Sequence, residues 1–582
     1  MLRSHTCGDL RKKDVNKKVT LAGWVHSRRD HGGVIFIDLR DRYGLIQVVF
    51  DASHKKNILK SADNLRREFV IQVSGVVKQR KQGMINKKID SGEIEVFVDE
   101  LKILNKSLTP PIEISERIDS GEDVRLKYRY VDLRREELKN NFILRHKVIK
   151  DIRDFFDSQG FLEIETPMLA KSTPEGARDF IVPSRIKKGE FYALPQSPQI
   201  FKQLLMLSGF DKYVQIVKCF RDEDLRADRQ PEFTQVDVEM SFVEENDVVN
   251  IIENLMKYVF EKQNVKIKTP FKRITHKEAM NKYGSDKPDL RFGMELMDVS
   301  DIVKKSKFIV FKSALEKGGK VKCIKVNNEF SRKNIDKLIE FVKIYDAKGL
   351  AWMKYDRKFE SSIVKFFPEK ILKELAKKTK VKNGDYLFFV ADKKHYIVDV
   401  ALGQLRLKLG KELKLVKNEW NFLWIVDFPL VEYDELEKRH ISVHHPFTKP
   451  KEKYIKYLDK NPEKVLSEAY DIVLNGVELG GGSIRIHDSE LQSKIFKTLG
   501  ISKKEADSKF GFLLDAFKYG APPHGGIALG LDRFIMLLAE ADSLRDVIAF
   551  PKTKSGDDLM MDSPSEVSQE QLKDVGINVK RK

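Results

Sequence analysis

Alternating apolar and polar residues fill the first hundred positions of the chain and predict strands. Apolar side chains occur at every second position in five stretches, over residues 19–25, 35–39, 46–50, 69–73 and 94–98. This period of two is that of a strand with one buried face. A charged stretch over residues 52–68 separates the third strand from the fourth and predicts a helix. The chain is therefore predicted to begin with three strands, a helix and two further strands.

That order of elements is typical of a five-stranded OB-fold barrel, whose outer face can bind unpaired bases. Phe36 is out of phase with the apolar residues of its stretch and shares a face with Asp38 and Arg40, and Gln47 has the matching position on the next strand. An aromatic ring flanked by polar groups can stack on a base, and Arg29 nearby could hold a phosphate. The alternative is that Phe36 packs against a neighbouring domain.

Changes in composition divide the rest of the chain. Paired prolines at 110–111 predict an extended linker, and a helical pattern over residues 132–159 ends at Gly160. The stretch from 285 to 417 is rich in lysine and indicates an inserted α+β module, because motifs on both sides of it belong to one site. We predict an α+β multidomain fold with a barrel over 1–107, a linker over 108–135, a central domain over 136–284 and 421–553, an insert over 285–420 and an extension over 554–582.

A polar hairpin is predicted over residues 213–242. One face of its second strand is polar apart from a single aromatic ring and carries Phe233, Gln235, Asp237 and Glu239. Two acids on a central strand indicate a site rather than a core. Arg221 ends the first strand and Glu223 follows it, although a surface ion pair is the alternative for these two residues.

Two glycine clusters near the end of the chain each lead to an arginine. They are Gly480–Arg485 and Gly525–Arg533, and neither is a phosphate loop of the Gly-x-x-x-x-Gly-Lys type. Glycines let a ligand approach the backbone while the guanidinium meets a phosphate or carboxylate, but a glycine turn before a helix is the alternative. Asp471 and Glu478 precede the first cluster, and their carboxylate oxygens suit magnesium.

Composition narrows the function classes further. The chain has 107 lysine and arginine residues against 88 aspartate and glutamate residues, a net charge of +19, which excludes an acidic disordered chain. This charge favours a polyanionic partner, with a lysine-rich proteome as the alternative. Cys7, Cys219 and Cys323 lie far apart, so no disulfide framework or cysteine zinc site is predicted. We expect a reducing cytoplasm, without a secretory signal or a membrane span.

Taken together, these segments resemble the class II aminoacyl-tRNA synthetases. The three signature motifs of that class are matched, in order, by Gly160–Pro167, by Phe220–Glu223 with the Phe233 strand, and by Gly530–Arg533. The bacterial type of aspartyl-tRNA synthetase is matched by longer segments, which cover residues 173–179, 196–202 and 476–483. The likeness extends over nearly the whole chain.

The resemblance implies an anticodon-binding OB-fold barrel and a class II catalytic domain on an antiparallel sheet, interrupted by the insert. It also implies a cytoplasmic homodimer that uses ATP and Mg²⁺ to join L-aspartate to tRNA in two steps, through aspartyl-adenylate. Little proton transfer falls to the protein in such a reaction, so positioning and charge stabilisation should dominate.

By motif position the resemblance also assigns individual roles. The catalytic groups would be Arg221, Glu223 and Arg533. Aspartate would be bound by Glu175, Ser197, Gln199, Lys202, Arg221, Asp237, His444 and Arg485. ATP would be bound by Arg221, Glu223, Gln230, Phe233, Glu478, Gly530, Leu531, Asp532 and Arg533. Adenine would lie between Phe233 and Arg533. Mg²⁺ would be held by Asp471 and Glu478, and the anticodon by Arg29, Phe36 and Gln47.

Two barrel residues, His31 and Gly83, resemble the pattern of non-discriminating enzymes, which charge tRNA(Asp) and also tRNA(Asn). An amidotransferase acting on aspartyl-tRNA(Asn) would then be a pathway partner, while neither DNA nor a membrane is expected as one. Three alternatives stay open: a discriminating enzyme for tRNA(Asp) alone, an inactive relative that binds RNA through its barrel, and an asparagine or lysine ligase of the same fold. Arg485 with Lys202 opposes the last, since neither of those substrates carries a side-chain carboxylate.

Overall fold

The computed structural model describes residues 1–114, 120–173, 177–223 and 229–580, and the contacts within it define two units. One unit comprises Met1–Ile143 with Ile548–Ser565. The other comprises Leu144–Val547 with Glu566–Lys582.

A closed five-stranded barrel begins the first unit, as predicted. Its strands are β1 (Lys18–Asp30), β2 (Val34–Arg40), β3 (Leu45–Asp51), β4 (Val70–Gln79) and β5 (Ile94–Asn105), in the order β1-β2-β3-β5-β4. The apolar positions of the alternating pattern fill the interior, and Leu21, Ile37, Val48 and Val96 are fully buried. Burial of one face of every strand therefore fixes the register of the barrel.

The helix predicted over residues 52–68 is largely wrong, because only α1 (Ile58–Ala62) forms there. Asp51 accepts hydrogen bonds from the backbone N–H and hydroxyl of Ser53, a local turn that competes with helical pairing. At the far end Glu68 has a left-handed φ of 64°. The apolar side chains at 58, 62 and 65 still pack into the barrel core.

Three helices follow the barrel: α2 (Glu122–Lys127), α3 (Arg129–Asp132) and α4 (Glu136–Ser158). The last begins four residues later than the predicted helix over 132–159, and Asp132 instead ends α3, where it is buried in a charge cluster. Its carboxylate accepts from Arg129 at 2.8 Å and from Arg135 at 3.2 Å. The chain leaves α4 through Gly160, whose φ of 75° is the left-handed conformation expected of a glycine stop.

The first part of the second unit supplies strands, helices and the polar hairpin. Its elements are β6 (Leu162–Glu163), β7 (Ile181–Pro183), β8 (Phe191–Ala193), α5 (Gln199–Leu207), β9 (Lys212–Phe220), β10 (Glu232–Ser241), α6 (Glu245–Lys262), β11 (Lys272–Thr275) and α7 (His276–Tyr283). The predicted hairpin is the pair β9–β10, in which Asp237 lies opposite Gln215.

The insert follows as an α+β module with its own antiparallel sheet, in the order β12-β13-β16-β14-β15. Its elements are β12 (Met297–Asp298), α8 (Ser300–Val303), α9 (Ile309–Glu316), β13 (Lys320–Asn327), α10 (Arg332–Lys343), β14 (Ala351–Asp356), β15 (Lys358–Glu360), α11 (Glu369–Thr379), β16 (Asp385–Asp392) and α12 (His395–Glu412). Helices α10 and α12 contribute to one apolar cluster against this sheet, and α8, α9 and α11 contribute to a second.

The remaining elements complete the central sheet. They are β17 (Phe422–Val426), β18 (Val431–Asp434), β19 (Arg439–Ser442), β20 (Ala469–Leu474), β21 (Val477–Ile484), α13 (Ser489–Thr498), α14 (Lys503–Phe517), β22 (His524–Gly530), α15 (Leu531–Leu538) and α16 (Gln569–Asp574).

Eight strands form the central sheet, in the order β11-β17-β20-β21-β22-β10-β9-β6. The sheet is antiparallel through its middle, as predicted, but both edge pairs, β11–β17 and β6–β9, are parallel. A parallel pair needs a long connection, and here the whole insert joins one pair while α5 lies within the other. Strand residues such as Val238, Trp424 and Ile527 pack with α6 and α15 into the largest apolar cluster. No helix in the described ranges is long and apolar enough to cross a membrane.

Candidate active site and barrel face

A cavity of about 1210 Å³ lies over the middle of the central sheet. Most residues with a predicted role at the site line it, and they are Ser197, Gln199, Lys202, Arg221, Glu223, Gln230, Phe233, His444, Asp471, Glu478, Arg485, Gly530, Asp532 and Arg533. Asp237 and Leu531 do not line it: Asp237 is covered by Lys202, and Leu531 is fully buried in the apolar cluster. Glu175 lies outside the described residues.

Strand β10 presents its polar face to this region, as the alternation predicted. Phe233 and Gln235 line the cavity, while Asp237 and Glu239 lie deeper and are fully buried. The adjacent strand leaves room for the second acid through Gly526, where a Cβ atom would lie 2.2 Å from Glu239 Oε2. Gly526, in the second glycine cluster, thus allows its strand to pack closely against the Glu239 carboxylate.

Two cations and two carboxylates pair at the floor of the cavity. Lys202 Nζ lies 2.6 Å from Asp237 Oδ1 and 3.4 Å from Glu239 Oε2. Arg485 donates from Nε and Nη2 to the two oxygens of Glu239, both at 2.9 Å. Both cations are already paired within the chain, which corrects the expectation that only the side-chain carboxylate of a substrate would neutralise them.

The charge states of this cluster follow from its burial. Burial raises the pKa of Asp237, whereas for Glu239 the cations Arg485 and Lys202 outweigh burial and hold its pKa below the ordinary value. His445 is buried beside Arg485, and burial, with that guanidinium, places its pKa well below the ordinary value. A neutral His445 can accept the hydrogen bond that Arg485 Nη1 directs at its Nε2 over 2.6 Å.

Several buried polar atoms around the cavity have no hydrogen-bond partner among the described residues. They include Gln199 Nε2, Arg221 Nε and Asp237 Oδ2. A buried donor or acceptor without a partner is costly, and at a cavity wall it marks a place where a polar ligand binds.

Asp471 and Glu478 both line the cavity, on adjacent strands. Burial and the charge of Asp471 raise the pKa of Glu478. Asp471 Oδ1 accepts from His444 Nε2 at 2.9 Å, and a Cβ atom on Gly481 would lie 2.5 Å from the same oxygen. Two close carboxylates are the donor set that Mg²⁺ prefers. No group of three or more metal-ligating side chains occurs in the described part of the chain, so oxygens of a ligand would have to complete such a site.

Arg221 and Arg533, the arginines of the second and third signature motifs, contact different groups. Arg221 lies over the ring of Phe233, with its Cζ 5.0 Å from the ring centroid. Arg533 Nη1 donates to the backbone oxygen of Glu478 at 3.2 Å, and the placement of adenine between Arg533 and Phe233 stays a prediction. Asp532 joins α15 to the sheet by accepting from the backbone N–H of Thr234 at 2.8 Å.

On the barrel, the predicted face is a connected network. Arg29 Nη2 donates to Asp38 Oδ1 at 3.0 Å and to Gln47 Oε1 at 3.2 Å. Gln47 is buried rather than exposed, and it donates to Glu95 Oε2 at 2.8 Å. Phe36 is half-buried, and its ring meets that of His31 in a T-shaped contact with 5.6 Å between centroids.

Sequence reasoning missed the roles of several residues. The sequence gives Glu95 no role beyond its place in a strand. Its burial, which raises its pKa, depends on the pairing of β3 with β5. The sequence assigns no role to His445, whereas its neighbour His444 has one by motif resemblance. Asp286 and Lys287, at the start of the insert, also line the cavity, and no pattern in the sequence connects them to it.

Family comparisons agree with this arrangement. A family described as "tRNA synthetases class II (D, K and N)" matches residues 121–554, and an "OB-fold nucleic acid binding domain" matches residues 19–104. An "Aspartate--tRNA(Asp/Asn) ligase" of Caldanaerobacter subterraneus is 55% identical over 99% of this chain and 98% of its own. An "Aspartate--tRNA ligase" of Shouchella clausii is 56% identical over 100% of this chain and 99% of its own.

Solved structures share the fold at low sequence identity. The asparaginyl-tRNA synthetase of Pyrococcus horikoshii, complexed with asparaginyl-adenylate, aligns with a TM-score of 0.60 at 19% identity, over 95% of this chain and 99% of its own. A putative aspartyl-tRNA synthetase of Leishmania major aligns with a TM-score of 0.58 at 19% identity, over 94% and 93%.

Proposed function

The chain belongs to the class II tRNA synthetases of the aspartate, lysine and asparagine group, it attaches aspartate to tRNA, and we propose that it charges both tRNA(Asp) and tRNA(Asn). ATP is its second substrate. The first step would join the α-carboxylate of L-aspartate to the α-phosphate of ATP and release pyrophosphate. The second would transfer the aspartyl group to the terminal adenosine of the tRNA.

The observation that carries the choice of aspartate is the count of N–H groups left at the cavity floor. A guanidinium has five N–H groups and an ammonium three. Arg485 directs its Nε and Nη2 at Glu239 and its Nη1 at His445 and Ser483, and Lys202 directs Nζ at two carboxylates. Counted against the described residues, each cation thus retains one N–H, and two N–H groups on rigid, buried cations match the two oxygens of the substrate's side-chain carboxylate.

Other parts of the cavity would orient the reacting groups. Arg221 would hold the α-phosphate and the α-carboxylate, and its buried Nε is a donor available for this contact. Gln199 Nε2 and Asp237 Oδ2 would meet polar groups of the amino acid. Catalysis by such a site comes from holding two anions together and stabilising the charge that develops between them.

Mg²⁺ fits the carboxylates of Asp471 and Glu478, since both line the cavity and burial beside Asp471 raises the pKa of Glu478, an effect that a bound cation would oppose. The ion would supply neutralisation of phosphate charge. The bond from His444 fixes the orientation of Asp471, a second layer of contacts that metal sites commonly need.

Relaxed tRNA specificity is supported by the barrel face. His31 contacts Phe36, the ring proposed to stack on an anticodon base, so the residue at 31 acts on the reading surface directly. At Gly83 a Cβ atom would meet nothing within 4 Å, so this position leaves open space where a larger residue would project. Relatives named as aspartate–tRNA(Asp/Asn) ligases agree with this reading. An aspartyl-tRNA(Asn) amidotransferase would then act on the product.

We further propose a cytoplasmic homodimer. Large apolar side chains are exposed within the first signature segment and in the residues that follow it in sequence, including Leu162 at 50%, Ile181 at 60% and Ile186 at 84%. Apolar exposure of that extent suits an interface with a second copy. Cys7, Cys219 and Cys323 are buried thiols that form no disulfide with one another, as suits a reducing compartment. Light scattering should give twice the chain mass of 67.4 kDa, and a mass of one chain would refute the dimer.

The decisive experiment is aspartate charging of two transcripts, tRNA(Asp) and tRNA(Asn), at matched concentrations and one stated salt concentration. Comparable charging of both is expected. Charging of tRNA(Asp) alone would establish a discriminating enzyme instead. An enzyme without aspartate-dependent pyrophosphate exchange would be an inactive RNA-binding relative.

A further inference from the structure

The segment that leads from α7 into the insert is held rigidly. Gly284 ends α7 with a left-handed φ of 66°, and a Cβ atom there would lie 1.9 Å from the backbone oxygen of Asp399. Asp289 is buried and bonded by Arg291 at 2.7 Å, and its backbone oxygen accepts from Arg406 at 2.8 Å. Residues 284–291 are therefore fixed at both ends.

The same segment packs against the turn between β20 and β21. A Cβ atom on Gly476 would lie 2.9 Å from the Cβ atom of Asp289. Two residues before Asp289, Lys287 lines the cavity of the active site, and its backbone N–H donates to Ser285 Oγ at 3.1 Å. A fixed backbone thus carries a long cationic side chain to the cavity wall.

The ammonium of Lys287 is held only loosely by the chain. Its Nζ lies 4.0 Å from Glu478 Oε2, and 46% of the side chain is exposed. An ion pair at that distance and exposure contributes little to stability, so it does not account for the placement of the lysine. Glu478 is also contacted by Arg533 through its backbone oxygen, so two cations flank one residue at this end of the cavity.

We propose that Lys287 is a substrate-binding residue whose ammonium contacts the β- and γ-phosphate oxygens of ATP and the pyrophosphate that leaves. This rests on the proposed function and on the ATP-binding role that motif resemblance implies for Arg533, which lies beside Glu478. A lysine is a flexible point charge and suits terminal phosphates whose position changes as the bond breaks. The insert thereby contributes a residue to the active site, although its own fold is separate.

Pyrophosphate exchange by Lys287→Ala tests the proposal. The KM values for ATP and pyrophosphate should rise by about 10- to 100-fold, the range for losing a charge-assisted hydrogen bond. The KM for aspartate and the inhibition constant of AMP should change less than about twofold, because neither ligand carries the terminal phosphates. Lys287→Arg should recover most of the loss.

The matched control is Lys282→Ala, which removes a lysine of α7 that pairs with Glu278 on the same helix and does not line the cavity. It should behave as the unmodified enzyme. Unchanged KM values for ATP and pyrophosphate in Lys287→Ala would overturn the proposal, and so would an equal loss of affinity for AMP, ATP and aspartate. Failure of the unmodified enzyme to exchange pyrophosphate would instead refute the proposed function.

Discussion

Arg485 holds both carboxylate oxygens of Glu239 at 2.9 Å, and neither side chain is exposed to solvent. The two residues are far apart in sequence and meet because β10 and the end of β21 both adjoin β22. A bidentate pair of this kind fixes the plane of the guanidinium, so its remaining N–H points in one direction. The carboxylate therefore positions the arginine for a ligand.

Substitution Arg485→Leu should lower aspartate-dependent pyrophosphate exchange by about 10²- to 10³-fold. It should also cost about 3 to 5 kcal/mol of stability, because Glu239 would stay buried with Lys202 as its remaining cation. Exchange kinetics and thermal unfolding measure the two effects separately. A loss of activity below about tenfold would remove Arg485 from the aspartate pocket.

The double variant Arg485→Leu with Glu239→Gln separates folding from recognition. The second substitution removes the uncompensated charge, so stability should recover in part. Activity should not recover, since no N–H group replaces the lost one. Recovery of both would assign the pair a purely structural role.

The close packing of Gly526 in the central sheet can be tested by stability measurements, which need no substrate. Substitution Gly526→Ala places a Cβ atom 2.0 Å from the backbone oxygen of Val238 and 2.2 Å from Glu239 Oε2, which should cost about 1 to 3 kcal/mol or more. Gly511 lies within α14 with nothing within 4 Å of a Cβ atom, so Gly511→Ala should stabilise the protein by about 0.5 to 1 kcal/mol. Denaturation curves that rank the two variants the other way would contradict this packing.

The sequence predicts the strands correctly where the alternation of apolar and polar residues alone determines which face is buried. The barrel strands and the face of β10 that carries Phe233 and Asp237 follow from a period of two and from burial. The helix over 52–68 failed because Asp51 and Ser53 form a local hydrogen-bonded turn, which a charge pattern does not show.

What the sequence could not show are contacts between distant segments. Lys287 lines the cavity on a segment whose Asp289 packs against the turn at Gly476, nearly two hundred residues later. Pairing of Arg485 with Glu239 likewise depends on a strand order that no local pattern encodes. Most of the roles assigned to individual site residues came from motif resemblance, and they stay predictions until substrates are bound.

Removal of one magnesium ligand should change the metal requirement. Asp471→Asn weakens a carboxylate donor, so the Mg²⁺ concentration that gives half-maximal exchange should rise by about tenfold or more. The activity of the variant should be closer to that of the unmodified enzyme at saturating Mg²⁺ than at low Mg²⁺. A variant with the Mg²⁺ dependence of the unmodified enzyme would exclude Asp471 as a ligand.

Stacking by the barrel should be separable from chemistry in the cavity. Phe36→Ala should keep pyrophosphate exchange within about twofold and lower kcat/KM for tRNA charging by about 5- to 150-fold, since stacking on one base contributes about 1 to 3 kcal/mol. Equal loss of both activities would show that Phe36 supports the fold rather than the tRNA.

Specificity between the two tRNAs should respond to the pair at 31 and 83. The double variant His31→Leu with Gly83→Gln removes the ring that meets Phe36 and places a side chain in the open space at 83. We expect charging of tRNA(Asn) to fall by about tenfold relative to tRNA(Asp), the effect of about 1.4 kcal/mol at one base contact. Pyrophosphate exchange should not change, because it does not involve tRNA. Proportional loss on both transcripts would mean that these residues support general tRNA binding, and the basis of relaxed specificity would then lie elsewhere on the barrel.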